Sequence, residues 1–254
     1  MIVIKNKASL RKMEQAGILL GEIFDEIEPL IKAGITTLDI DQEIEKRMKL
    51  KGLVSKTKGY MGYRHSSCIS LNDEVVHGIP SADKTVRNGD LIKVDVCVSW
   101  KGYCADMARA FYVGTMPADV QRFIANARRA LQRGIAQARP GNRLTDISAA
   151  IQHEVEKEGF GVVRDFAGHG IGKQMHEEPE VLNFGEPGEG PILRSGMTFA
   201  IEPMITMGKE DVYVCEDGWT VKTVDGSLAM HIEDTVAVTE QEPKILTKTA
   251  AGAA

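Results

Sequence analysis

The chain has 254 residues and a formal net charge of −5, with 43% hydrophobic and 26% charged residues. That length suits one large domain or two intimate halves, and the acidic balance offers no basic surface for nucleic acid or an anionic membrane. No apolar run approaches the roughly 20 residues that span a bilayer, and "MIVIKNKASL" lacks the apolar core of a secretory leader, so a cytoplasmic protein is expected.

Helical spacing of Met13, Ala16, Leu20, Ile23, Ile27 and Ile31 predicts a first helix over residues 8–32. A second starts near "TTLDIDQEIEKRMKLKG", with Gly52 as its stop. The run "LIKVDVCVSWKGYCADMARAFYV" predicts two strands joined by a two-residue loop, Lys101–Gly102. Trp100 then faces Tyr103, and Cys97 faces Asp106. Side chains alternate along a strand, so Asp95 shares the face of Cys97. Asp95 and Asp106 become diagonal neighbours, about 7–8 Å apart at Cα. Their apolar flanks predict burial, and two buried carboxylates repel unless a proton or a cation intervenes.

The sequence then repeats. "AGITTLDIDQEIEKRMKLKG" aligns with "PGNRLTDISAAIQHEVEKEG", matching Gly34 to Gly141, Asp39 to Asp146, Ile40 to Ile147, Ile44 to Ile151 and Gly52 to Gly159, always 107 residues on. The same offset aligns "RNGDLIKVD" with "RSGMTFAIE", matching Arg87 to Arg194, Gly89 to Gly196 and Asp95 to Glu202. A duplicated unit of two helices and strands is expected. It gives a single domain over 1–248, with halves at about 8–117 and 118–240 meeting near residues 114–121. Equivalent strands then each carry one carboxylate, Asp95 and Glu202, to a shared site. The small residues at 249–254 read as a disordered tail.

In "GHGIGKQMHEEP", Gly168, Gly170 and Gly172 argue against a helix. They suggest a sharp bend or a close approach, with metal or substrate as the visitor. Glu202 ends an apolar strand closed by Pro203, and Glu233 lies in the strand-like "MHIEDTVAV". With His169, the four acids make an oxygen-rich set suited to Mn, Fe, Co or Zn. Four acids are used economically if some bridge two ions about 3.5–4 Å apart. The four cysteines, Cys68, Cys97, Cys104 and Cys215, form no CxxC pair and are expected to be reduced.

From "MEQAG" to "TVAVTE" the chain resembles the type I methionine aminopeptidases. The resemblance rests on "HGIP", "VDV" followed by "ADMARAF", "GHGIG", "HEEP", "IEP" and "DGWTVKT". It implies the α+β pita-bread fold, two pseudo-symmetric halves whose curved, mainly antiparallel sheet is covered by helices on its outer face. It implies two divalent metal ions held by Asp95, Asp106, His169, Glu202 and Glu233. Asp106 and Glu233 bridge them, Asp95 serves one ion, and His169 with Glu202 serves the other. His77, His176 and Glu202 are implied as catalytic, with His176 across the cavity from His169. Tyr60, Tyr63, Cys68, Met175 and Trp219 match the methionine-binding pocket beside His77 and His176. The implied reaction is removal of the N-terminal methionine of nascent proteins when the second residue is small, by metal-activated water. The implied partner is that N-terminal peptide, whether or not at the ribosome, with a monomeric enzyme and no nucleic acid or membrane.

Four positions depart from the family pattern. Met175 stands where Phe is frequent, and Thr57 where a second pocket Cys is frequent. Met107 stands in place of Thr or Ser, removing a hydroxyl that could help fix a metal ligand. Asp234 stands in place of His, adding a charge near the metals, and "IEDT" also reads like prolidases. The alternatives are an Xaa-Pro dipeptidase or aminopeptidase of the same superfamily, which usually carries a large extra N-terminal domain, and a non-catalytic binding protein on this scaffold, which should have lost ligands.

Overall fold

The computed structural model describes residues 1–248; the expected tail at 249–254 lies outside the described residues. Four helices, α1 (Lys7–Ile27), α2 (Thr37–Leu50), α3 (Ala118–Gln137) and α4 (Leu144–Glu156), alternate in pairs with strands. The first strands are β1 (Val54–Ser55), β2 (Cys68–Leu71), β3 (Leu91–Trp100) and β4 (Tyr103–Tyr112). After α4 come β5 (Gly161–Val162), β6 (Gly168–Gly170), β7 (Glu177–Val181), β8 (Thr198–Ile201) and β9 (Met204–Thr206). The last are β10 (Val212–Val214), β11 (Val221–Thr223), β12 (Ala229–His231), β13 (Glu233–Ala237) and β14 (Lys244–Ile245).

Helix α1 starts where Asn6 Oδ1 accepts the Ser9 N–H at 2.9 Å. It stops at Ile27, short of the expected 32, because Pro29 diverts the chain into a 3-10 turn over Glu28–Leu30. Ile31 still packs against the core, but from outside a helix. Helix α2 opens with a capping box in which Thr36 and Asp39 satisfy each other's backbone N–H groups. Past its end Gly52 takes φ +67°, the left-handed conformation that glycine adopts without steric cost.

The backbone ties around the two helix pairs recur at the offset seen in the sequence. Gly34 N–H donates to Val86 O at 2.9 Å, and Gly141 N–H to Leu193 O at 3.1 Å. Thr37 N–H donates to Lys84 O at 2.9 Å, and Leu144 N–H to Pro191 O at 3.0 Å. Asp39 takes the Thr36 N–H at 3.0 Å, as Asp146 takes that of Arg143 at 2.7 Å.

The main sheet runs β1-β3-β4-β13-β8-β6-β7, with β2 also on β3 and β14 on β13, and every pairing is antiparallel. One face carries Val94, Val96, Val98 and Met107 into a core with α1 and α2. Farther along, Phe199, Ile201 and Val236 pack with α3 and α4. The opposite face holds Asp95, Cys97 and Asp106. The hairpin has the expected register, Trp100 opposite Tyr103 and Cys97 opposite Asp106. Lys101 at φ +46° and Gly102 at φ +78° form the loop, a pair of positive angles that matches the twist of the flanking strands.

The glycines around His169 serve the sheet rather than a metal or substrate. β6 is clasped between β7 and β8, and a Cβ on Gly168 would strike the carbonyl oxygen of Ala200. One on Gly170 would strike that of Glu178, and one on Gly172 would meet the Glu177 carboxylate and the Lys5 side chain. The expected close approach exists, but the visitors are neighbouring strands and one ion pair.

Candidate metal centre

Five adjacent strands each deliver one of the expected ligands. In spatial order β3 gives Asp95, β4 gives Asp106, β13 opens with Glu233, β8 runs into Glu202, and β6 carries His169. Asp106, His169 and Glu233 present ligand atoms that all lie within 4.8 Å of one another. His169 Nε2 stands 3.5 Å from Glu202 Oε1 and 3.9 Å from Asp106 Oδ2. Asp95 lines the same cavity but lies outside the tight trio.

Among the described residues the contacts of these acids are with His169 and His231 rather than with the lysines and arginines that normally accompany buried carboxylates. Glu233 is 2% exposed and its Oε1 is buried with no hydrogen-bond partner, an orphan that native interiors rarely tolerate. Burial, reinforced by mutual repulsion, pushes the Asp95 and Glu233 carboxyls well above the ordinary range. Burial and the charge of Glu202 raise Asp106 to about 7, and burial raises Glu202 to about 8. Burial lowers His169 to about 3, leaving a neutral imidazole free to ligate. Hard oxygens around one imidazole, with an unpartnered buried carboxylate oxygen, fit a divalent cation.

That electrostatic strain sets a pH dependence. A carboxyl with a raised folded pKa holds its proton in the native state at pH values where the unfolded chain, near 4, has lost it. Its contribution to stability therefore falls as pH rises towards the folded value. Bound cations keep the same carboxyls ionised, so the stability gap between metal-loaded and chelated protein should widen with pH. For Asp106 and Glu202, with folded values of about 7 and about 8, the gap should grow by about 2–3 kcal/mol between pH 6.5 and 8. Groups common to both forms, such as Lys93, lowered by burial to about 7, cancel in the difference. Urea titrations of both forms at the two pH values check this; a gap that narrows contradicts it.

The cavity over these ligands measures about 270 Å³ and is lined by every residue expected in the site, together with Thr57, Met61 and Cys97. Tyr63 meets Trp219 edge-on at 5.0 Å, and His77 stands 6.5 Å from Trp219 and 5.8 Å from Phe166. His77 occupies the left-handed region at φ +59°, the kind of local strain that collects at functional positions. Burial lowers its pKa to about 4. His176 does not lie across the cavity from His169: the two rings meet edge-on with centroids 4.4 Å apart. Tyr60 OH fixes His176 by approaching Nδ1 at 2.9 Å.

Two departures from the family pattern leave the site alone. Strand alternation turns Met107 onto the helix-covered face, fully buried, so it takes no hydroxyl from the metal side. Asp234 alternates with Glu233 and points the same way as Met107, where Arg109 Nη2 donates to its Oδ1 at 2.7 Å and Thr247 Oγ1 donates at 2.7 Å. Its charge is matched by a buried guanidinium behind the strand. One residue was missed altogether: His231, 2% exposed, whose Nε2 lies 3.2 Å from Glu202 Oε2. Its signal was available, since it sits two positions before Glu233 and so shares its side of the strand path.

A curled antiparallel sheet under helices, with a histidine and four acids gathered on its concave side, defines a metallopeptidase class. The chain belongs to metallopeptidase family M24, whose model matches residues 11–240. Among curated relatives it is similar to the methionine aminopeptidase of Clostridium acetobutylicum, 46% identical over 97% of this chain and 99% of that one. The Escherichia coli K12 methionine aminopeptidase is 40% identical over 97% of this chain and 94% of its own. The solved methionine aminopeptidase of Thermotoga maritima superposes with a TM-score of 0.96 at 41% identity, covering 98% of this chain and all of that one. The prolidase of Pyrococcus furiosus shares the pita-bread fold alone, at TM-score 0.80 and 23% identity, with only 66% of that chain covered.

Proposed function

We propose that this chain is a dinuclear metal-dependent aminopeptidase that removes the initiator methionine from proteins and peptides whose second residue is small. The observation that carries the reading is the delivery of one ligand-type side chain by each of five adjacent strands beneath a largely apolar cavity. Near-full-length similarity to proteins named methionine aminopeptidase supports it. Asp95, Asp106, His169, Glu202 and Glu233 would hold the divalent ions, Mn, Fe, Co or Zn, with Asp106 and Glu233 shared between two ions, Asp95 serving one and His169 with Glu202 the other. When bound, such ions supply a nucleophilic water at neutral pH and polarise the scissile carbonyl.

The protein side chains do the rest. Tyr60, Tyr63, Cys68, Met175 and Trp219 surround a flexible thioether side chain with aromatic edges and polarizable sulfur. The free α-amine of the substrate is directed to the Asp95 side of the site, which confines cleavage to the first residue. His77 and His176, both held neutral by burial, donate hydrogen bonds to the substrate's peptide oxygen as charge develops there. Glu202 carries the proton from the attacking water to the leaving amine. The protein is proposed to work in the cytoplasm as a monomer, on nascent N-termini whether or not at the ribosome, through a single catalytic domain built from the two repeated halves. Among the described residues no helix is long and apolar enough to cross a membrane.

The test is a peptide panel on chelated enzyme reloaded with Mn, Fe, Co or Zn. Met-Ala-x should be cleaved at least about 100-fold faster than Leu-Ala-x or x-Pro peptides, since a fitted apolar pocket discriminates by roughly 10–200-fold per methylene-scale change. Equal rates, or preference for x-Pro, would sink the methionine assignment.

A further inference from the structure

Glu202 is asked to do two things, to ligate a cation and to move a proton, and each needs its carboxylate held in one orientation. The structure places a different imidazole at each of its oxygens. Oε1 is 3.5 Å from His169 Nε2, and Oε2 is 3.2 Å from His231 Nε2. His169 is a proposed ligand. His231 is not, and nothing in the mechanism above uses it.

The position of His231 is built by two strands that bend together. β8 pairs with β13 in the main sheet, while β9 and β12 pair in a separate three-stranded sheet. The crossing between sheets falls at Glu202–Pro203 on one strand path and at Ile232 on the other. At that corner His231 lies opposite Met204, two residues beyond Glu202, and the ring turns inward to the Glu202 carboxylate. The side chain is 3% exposed, so it has no water to fall back on. A carboxylate that ligates a metal is an acceptor only, which assigns the hydrogen of this contact to His231 Nε2. Partners behind metal ligands of this kind orient the ligand and tune its basicity.

We infer that His231 is a positioning residue for Glu202: its Nε2–H holds Oε2 and leaves Oε1 turned towards His169 and the cation. The inference rests on the metallopeptidase reading and adds a side chain to it. Two variants separate a hydrogen-bond donor from a space-filler. His231→Gln keeps a donor of similar reach, and His231→Leu keeps the bulk without one. Each is titrated with Mn²⁺ by calorimetry after chelation, and kcat and KM are measured on a Met-Ala-x peptide. His231→Leu should weaken Mn²⁺ binding and lower kcat by about 10–100-fold, with KM changed far less, while His231→Gln stays within about fivefold of the parent. Two variants that behave alike, whether both intact or both impaired, overturn the donor role. A parent protein that binds no Mn²⁺ and cleaves nothing would instead remove the metallopeptidase reading itself.

Discussion

Asp106→Asn should cost the enzyme its turnover while making the chelated protein more stable. Asp106 stands with His169 and Glu233 in the trio whose ligand atoms fall within 4.8 Å of one another. An amide is a poor replacement for the bridging carboxylate proposed at this position, and losing cation-based charge stabilisation removes several kcal/mol from the transition state. That corresponds to a fall of about 10³-fold or more in kcat. Stability moves the other way. In the chelated protein the Asp106 carboxyl is buried and held up to about 7 by burial and by Glu202, so at pH 8 its ionised form is a liability that a neutral amide lacks. Calorimetric Mn²⁺ titration, peptide assay and urea unfolding at pH 8 read the three quantities on one preparation. A variant that keeps its metal and its rate would show that Asp106 bridges nothing.

The second large effect is expected behind the site. Arg109 donates to Ala108 O at 3.0 Å, Glu233 O at 2.6 Å, Asp234 Oδ1 at 2.7 Å and Thr247 O at 3.5 Å. It and Asp234 are both buried, with side chains 5% and 2% exposed. Arg109→Met strands the Asp234 charge in a low-dielectric interior and should destabilise the protein by about 3–5 kcal/mol. Adding Asp234→Leu removes the stranded charge and should recover most of that loss, because an apolar pair of similar volume is often no worse than a buried ion pair. Denaturant unfolding of both variants checks the order. A double variant less stable than Arg109→Met alone would mean that Asp234 does more than balance the guanidinium.

Much of the site could be read in the sequence because hairpin geometry is local. A two-residue loop at Lys101–Gly102 fixes which side chains oppose each other, so the shared face of Asp95 and Asp106 followed from counting. His169, Glu202 and Glu233 stand out in the sequence as candidates, but their meeting depends on the strand order β4-β13-β8-β6, a long-range property no window of sequence contains. The errors were of another kind. Met107 and Asp234 neighbour expected ligands in sequence, whereas alternation puts them on the opposite face. The resemblance implies a His176 across the cavity, but the turn after β6 brings its ring back onto His169. Pro29 should have ended the first helix on paper as it does in the fold.

Within the main sheet the early and late strands meet along a short seam. β3 and β4 are in register over ten residue pairs, but β4 and β13 share only Glu233 with Ala108 and Asp234 with Met107. Two of the five proposed ligands, Asp95 and Asp106, precede that seam in the chain, and His169, Glu202 and Glu233 follow. Under the proposed ligation a bound cation would be a rivet as well as a reagent, and chelation would loosen that seam as well as silence the site.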